Sequence, residues 1–183
     1  MNAVRHFPML ATAGLLVLAA WAPHASAGHT NPVLEAELDG REEVGVQGDK
    51  KPGDRNARGK AYVFGIDNDP NRATLCYVLT DFRNLAEVDQ APGGGRAAHI
   101  HKGKRGENGP VVVNLAWPQD GQAGDCFATT VQGKFTDPAI TPALILANPQ
   151  DYYVNVHNSE FPGGAVRGQL QESGKHTHDH GKK

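Results

Sequence analysis

Short runs in which apolar and polar residues alternate recur along the chain, and clusters of Gly, Pro, Asn and Asp separate them. Such alternation puts one set of side chains on the core face of a β-strand and the other set on the opposite face. The turn-forming clusters mark where the strands end. This pattern predicts eight short strands, at Val33–Leu38, Gly59–Ile66, Ala73–Thr80, Ala97–His101, Val111–Ala116, Cys126–Phe135, Tyr152–His157 and Ala165–Leu170.

One segment, Pro138–Asn148, has helical periodicity. Its apolar residues Ile140, Leu144 and Ile145 recur at helical spacing. Pro142 fits the first turn of such a helix, where its missing N–H costs nothing. Short strands with one short helix predict an all-β fold, either an antiparallel sandwich or a Greek-key barrel.

The N-terminal segment has the pattern of an export signal. Arg5 and His6 precede an apolar run from Met9 to Ala22, and Ala25-Ser26-Ala27 follows as a small-residue cleavage site. The run is shorter than the about 20 residues that span a membrane. We interpret residues 1–27 as a cleaved signal peptide, which predicts a periplasmic or extracellular protein without a membrane attachment. The alternative is a retained anchor helix.

The charge of the mature chain limits its partners. Residues 1–27 contain one basic and no acidic residue, so 17 Lys and Arg remain against 20 Asp and Glu. This slightly acidic balance does not favour binding to nucleic acid or to an anionic membrane. A metal ion and a protein of unknown identity are the partners that remain to be considered.

Both cysteines, Cys76 and Cys126, lie in the mature chain. In an oxidising compartment an even number of cysteines indicates a disulfide. A cysteine metal site is the less favoured interpretation, because the chain has no CxxC spacing.

Three histidines form a candidate metal site. His99 and His101 are two residues apart on a predicted strand, so they share a face and leave Ile100 on the core side. His157 ends another predicted strand, whose Val154 and Val156 would take the core face. Imidazole ligands without thiolate favour copper or zinc. Three neutral histidines would leave one coordination position open.

A structural role accounts for the same three histidines. In that interpretation they donate hydrogen bonds to Asn108, Asn155 or loop carbonyls and hold the glycine-rich loop 103–110. If they bind a metal, the second nitrogen of each ring needs an acceptor, for which Asn155, Glu160 and Glu107 are candidates.

The acidic pair Glu42-Glu43 also allows two interpretations. A sandwich that brings its first and last strands together would let one of them pair with Arg167. Base rates favour two solvated charges.

The C-terminal segment 172–183 lacks apolar residues and contains His176, His178 and His180. It cannot bury enough surface to order itself, so we predict a disordered, His-rich tail. Its histidines form a candidate auxiliary metal site, and a solvated tail without function is the alternative.

Several of these segments together resemble the CHRD domain, which is named after chordin. The resemblance extends from about Val33 to Leu170, nearly the whole predicted mature chain. The segments that carry it are Leu38–Gly40 with Glu42–Val44, Ala98–Gly103, Gly106–Val112, Tyr153–His157, Pro162–Gly164 and Arg167–Leu170.

This resemblance implies an immunoglobulin-like β-sandwich over residues 33–170, in a family of exported microbial proteins whose function is poorly defined. A weaker likeness to copper/zinc superoxide dismutase implies that His99, His101 and His157 are copper ligands, although that enzyme's zinc-binding loop has no counterpart here. Three hypotheses follow: a metal-holding protein that is not an enzyme, a metal-free interaction or adhesion module, and a superoxide-dismutating enzyme.

Overall fold

The computed structural model describes residues 32–45, 52–66, 73–87 and 97–174. The predicted signal peptide, residues 1–27, and His176, His178 and His180 of the tail lie outside these residues. Within them, no helix is both long and apolar enough to span a membrane.

The described residues form an all-β structure with one short α-helix, as the hydrophobic pattern predicts. In seven cases a predicted strand is observed at the same place, with ends that differ by up to three residues. The elements are β1 (Val33–Asp39), β2 (Arg58–Gly65), β3 (Thr74–Arg83), β4 (Ala98–Lys102), β5 (Val111–Leu115), β6 (Ala123–Ala128), α1 (Pro142–Ala147), β7 (Tyr152–Val156), β8 (Val166–Gln169) and β9 (Gln171–Glu172).

The placement of β6 differs from the prediction. The strand ends at Ala128 instead of running from Cys126 to Phe135. Residues 129–134 form turns, in which Gly133 has a positive φ of 76° that glycine adopts without strain. Phe135 then makes a separate β-bridge to Val113. The segment predicted as one strand, Cys126–Phe135, therefore contains the end of β6, a stretch of turns and an isolated bridge.

The helix is shorter than predicted because its N-terminus is fixed by two residues. Thr141 is extended, as is usual before proline, and its side chain accepts a hydrogen bond from the Leu144 N–H at 3.3 Å. Pro142 is the first helical residue. The residues before Thr141 form a turn in which the Ile140 N–H donates to the Asp137 carbonyl.

The strands form one antiparallel sheet in the order β5-β4-β7-β8-β1-β2-β3-β6, and β9 also pairs with β1. The segment after β6 returns to β5, because the Asn114 N–H donates to the Lys134 carbonyl at 2.7 Å and the Thr136 N–H donates to the Val112 carbonyl at 3.1 Å. The sheet is therefore nearly closed and barrel-like. The finer prediction of a Greek-key or immunoglobulin-like sandwich stays a prediction.

The end of the chain takes part in this sheet. Glu172, the first residue of the predicted tail, pairs with Leu34 of β1, and the Ser173 N–H donates to the Val33 carbonyl at 2.8 Å. A chain that ends at Leu170 would therefore lose a strand of the sheet.

The core lies inside the curved sheet and is closed at one side by α1. Alternate strand residues supply it, and Ile145 and Leu146 come from the helix. The fully buried aliphatic side chains on the strands include Leu34, Leu38, Val63, Leu75, Leu79, Ile100, Val113, Leu115, Val154, Val156 and Val166. Burial of each such side chain contributes about 1.5–3 kcal/mol to folding.

The predicted disulfide is confirmed. Cys76 and Cys126 lie directly opposite each other in the β3–β6 pair, with their Cα atoms 4.1 Å apart and a bond between their sulfurs. The bond closes a sequence separation of 50 residues. The bond links β6, the last strand in the sheet order, to β3, the strand with which it pairs.

We expect that the Cys76→Ala/Cys126→Ala variant is less stable than the parent by about 4 kcal/mol, because the cross-link no longer restricts the unfolded chain. Urea unfolding of the two proteins measures the difference. The oxidised parent should also contain no titratable thiol under denaturing conditions. Two free thiols in protein recovered from an oxidising compartment would contradict the assignment.

Candidate metal centre

Strand β4 places His99 and His101 on the face of the sheet turned away from the core. Ala98 and Ile100, which alternate with them, are both fully buried in the core. His101 is also largely covered, with 9% of its surface exposed, because loops pack over this outer face. The face predicted from the alternation is confirmed.

Strand β7 brings the third histidine to the same place. It pairs antiparallel with β4, so that Asn155 lies opposite His99 and Tyr153 opposite His101. His157 follows the last pair of this ladder, and its N–H donates to the Ala97 carbonyl at 2.7 Å. The predicted proximity of the two strands is thereby confirmed.

The three imidazoles form a compact cluster. Their ring centroids are 5.5 Å apart for His99 and His101, and 5.2 Å apart for His99 and His157. One potential ligand nitrogen of each ring lies within 4.8 Å of the other two. In a tetrahedral site with metal–nitrogen distances of about 2.0–2.1 Å, such nitrogens would be about 3.3 Å apart. Small side-chain rotations would suffice to reach that geometry.

Hydrogen bonds fix the tautomer of two of these rings. His101 Nδ1 lies 2.9 Å from the Gly109 carbonyl oxygen, and His157 Nδ1 lies 3.0 Å from that of Pro162. Because a carbonyl oxygen only accepts, each Nδ1 carries the proton and each Nε2 carries a lone pair. Both Nε2 atoms are buried, and neither has a hydrogen-bond partner among the described residues.

The sequence analysis named Asn155, Glu107 and Glu160 as candidate acceptors for the second ring nitrogens. The observed acceptors are these two backbone carbonyls instead. The Glu107 carboxylate instead accepts from the Lys104 N–H at 3.4 Å, and Glu160 is exposed. The backbone thus holds the rings, and it does so in the way that metal-ligating histidines require of their second nitrogen.

Burial keeps two rings of the cluster neutral. Loss of solvent around His101 lowers its pKa to about 4, although the bond to the Gly109 carbonyl acts in the opposite direction. The pKa of His157 is lowered too, again chiefly by burial. Both rings are therefore neutral at pH 7 and have lone pairs available for a metal.

Tyr153 supports His101 from the side. The two rings stack with centroids 4.8 Å apart and planes 10° apart, and the Tyr153 hydroxyl accepts from the Gly109 N–H at 3.2 Å. Gly109 therefore bonds both rings, through its N–H and its carbonyl. A Cβ at this position would overlap the Lys102 carbonyl, so only glycine fits.

Arg167, on β8, holds the loop that carries Gly109. Its guanidinium donates to the carbonyls of Glu107 at 2.7 Å and Lys104 at 3.0 Å, and its Cζ lies 3.4 Å from the centroid of the Tyr153 ring. The side chain is 98% buried. Arg167 thus links the glycine-rich loop to the strand face that carries the histidines.

Glu43 is buried beside this group, so the interpretation of both acids as solvated is wrong for Glu43. Its carboxyl accepts from the Asn155 amide at 3.4 Å, and a Cβ at Gly164 would lie 2.5 Å from it. Burial raises the pKa of Glu43 to about 8, while the charge of Arg167 opposes that rise. Glu42, in contrast, makes a surface ion pair with Arg105.

A cavity of about 230 Å³ lies next to the cluster. Its polar walls come from His101, Tyr153, Asn108 and Asn155, and backbone at Gly109 and Gly163 supplies more of the lining. Sequence reasoning identified neither this cavity nor Tyr153. The alternation of Tyr153 and Asn155 with Val154 and Val156 was the signal for both residues, since it places them on the histidine face.

The fold and the site together define an all-β domain with a histidine cluster on the outer face of a barrel-like sheet. The family model of the CHRD domain matches residues 34–170, which is most of the chain, and the protein belongs to the CHRD domain family. The resemblance noted in the sequence is thus confirmed. No curated protein and no solved structure matches the chain significantly. The likeness to copper/zinc superoxide dismutase stays a prediction.

The lowered pKa of His101 predicts how the metal-free protein responds to acid. Below pH 6.5 the unfolded chain takes up a proton at this residue while the folded chain does not, so the contribution of His101 to stability falls as the pH falls from 6.5 toward 4, whereas the raised pKa of Glu43 acts in the opposite direction. The loss amounts to about 3 kcal/mol for a shift of this size. Urea unfolding in the presence of a chelator, at several pH values, measures it.

His101→Phe is the matched variant, since phenylalanine keeps the stack on Tyr153 and does not titrate. Its stability should fall less over the same pH range. Parallel curves for the two proteins would contradict the assignment of the acid sensitivity to His101.

Proposed function

We propose that this protein is an exported CHRD-domain protein that holds a copper or zinc ion through His99, His101 and His157. The observation that carries the proposal is the pair of buried Nε2 atoms of His101 and His157, which lack partners among the described residues within a cluster of three imidazoles. A buried nitrogen lone pair without a donor is costly, and a metal ion would satisfy both at once.

The chemistry of the donors supports copper or zinc over harder ions. The cluster offers three imidazole nitrogen ligands and no carboxylate, whereas magnesium and calcium prefer oxygen ligands. Three ligands leave an open coordination position in a four-coordinate site. We propose that the role is to hold or hand over the metal, with His176, His178 and His180 of the tail as auxiliary ligands.

The N-terminal signal pattern of residues 1–27 and the resemblance to a family of exported proteins support the proposal of export. A periplasmic or extracellular location also suits the disulfide between Cys76 and Cys126.

A metal-free interaction module is the second candidate. The observation in its favour is that His101 and His157 both donate to loop carbonyls, at Gly109 and Pro162, and so contribute to structure without a metal. Metal analysis of protein purified without a His tag distinguishes the two, since a metal-free module retains no stoichiometric copper or zinc.

Single replacements of His99, His101 and His157 by Ala test the site. Each should weaken copper or zinc binding by at least about 100-fold, because one of three ligands is removed, while the metal-free fold persists because no core residue changes. Isothermal titration measures the affinity, and circular dichroism checks the fold.

The full chain is used with His176, His178 and His180 replaced by Ala, so that the tail cannot mimic the site. Asn114→Ala is the matched control, since Asn114 also lies opposite His99 but its amide donates to the Gly133 carbonyl at 2.8 Å. Undiminished affinity in all three histidine variants would place the metal elsewhere. No binding by the parent would favour the metal-free module.

The pH dependence of metal binding gives a second test. A free imidazole competes for protons below pH 6.5, but burial keeps His101 neutral to about pH 4 and lowers the pKa of His157. We expect the affinity to decline at lower pH than it does for an unstructured His-rich peptide. Competition titrations from pH 7.5 to 4.5 measure the two curves, and coincident midpoints near pH 6.5 would contradict the expectation.

A further inference from the structure

Asn155 occupies a central position on the face that carries the three histidines. It lies opposite His99 in the β4–β7 ladder and two residues before His157, which directly follows β7. Directly opposed residues have Cβ atoms about 4.5–5.5 Å apart, and diagonal neighbours are still within reach of each other's side chains. The Asn155 amide is therefore in the immediate surroundings of the cluster.

Glu43 determines which way this amide points. The Asn155 Nδ2 donates to Glu43 Oε2 at 3.4 Å, which turns Oδ1 away from the carboxyl. Asn155 is 4% exposed, and its Oδ1 is a buried acceptor without a hydrogen-bond partner among the described residues.

A buried acceptor without a donor indicates a missing molecule that donates a hydrogen bond. The cavity of about 230 Å³ that His101 and Asn155 line provides the room, since a water molecule takes about 30 Å³ in the liquid. Of the three imidazoles, that of His101 lines this cavity, while His99 lies opposite Asn155 and His157 lies two residues after it.

We propose that the open coordination position of the metal centre takes a neutral oxygen ligand that donates a hydrogen bond to Asn155 Oδ1, with water as its smallest member. This inference rests on the proposed metal site. It assigns Asn155 as a positioning residue for the ligand and Glu43 as the residue that orients the Asn155 amide. An anion without an O–H or N–H group is disfavoured there, because it must displace the water and offers Asn155 no donor.

The test measures azide binding to the copper-loaded full chain with the tail histidines replaced by Ala. The azide-to-copper charge-transfer absorption reports the binding. Asn155→Leu has a similar volume but no acceptor, so displacement of the water no longer breaks a hydrogen bond. Azide should bind this variant about fivefold to tenfold more tightly than the parent. Asn114→Leu, the matched control opposite His99 on β5, should leave the azide affinity unchanged.

A measurement on the parent alone keeps the inference testable if Asn155→Leu does not fold. After exchange into D₂O, pulsed electron paramagnetic resonance of the copper-loaded parent should show the exchangeable deuterons of a coordinated water. Their absence, or equal azide affinities in the parent and Asn155→Leu, would overturn the inference while leaving the metal site intact. Failure of the parent to bind copper stoichiometrically would instead overturn the proposed function.

Discussion

The register between β4 and β7 is the constraint on which the candidate site depends. Because side chains alternate between the faces of a strand, a slip of one residue would move His99 and His101 into the core and Ile100 onto the outer face. Burial of Ala98, Ile100, Val154 and Val156 makes that slip costly. The hydrophobic core thus determines the position of the histidines without contacting a metal.

A second level of organisation fixes the orientation of the rings within that register. Arg167 holds the carbonyls of the glycine-rich loop, and the loop returns an N–H to Tyr153 and a carbonyl to His101 through Gly109. The guanidinium is desolvated, yet it meets carbonyl acceptors and an aromatic face, so its burial is compensated. The alternation along the strands places the histidines on the outer face of the sheet, and these polar contacts determine where their ring nitrogens point.

Much of this arrangement could be predicted from the sequence because it rests on local patterns. Period-two alternation located most strands and the histidine face, and the even cysteine pair indicated the disulfide. The end of β6 could not be predicted, because its boundary is set by the return of Phe135 to Val113, a contact between distant segments. The burial of Glu43 was not predicted for the same reason: it depends on Asn155 and Gly164, more than 100 residues away. The carbonyls that accept from His101 and His157 could not be predicted either, because every residue has a backbone carbonyl and the sequence therefore does not mark which one accepts.

The pairing of the two ends of the domain within the sheet has a consequence for the order of events during synthesis. Leu34 of β1 pairs with Val63 of β2 on one side and with Glu172 of β9 on the other. β1 therefore lacks one of its neighbours until the last residues of the domain have been made, and contacts between such distant residues form slowly. Likewise, β4 has no β7 beside it until residue 156 is available. If the protein is exported through a channel as proposed, its histidines are still apart during the passage, and the cluster forms only on the far side.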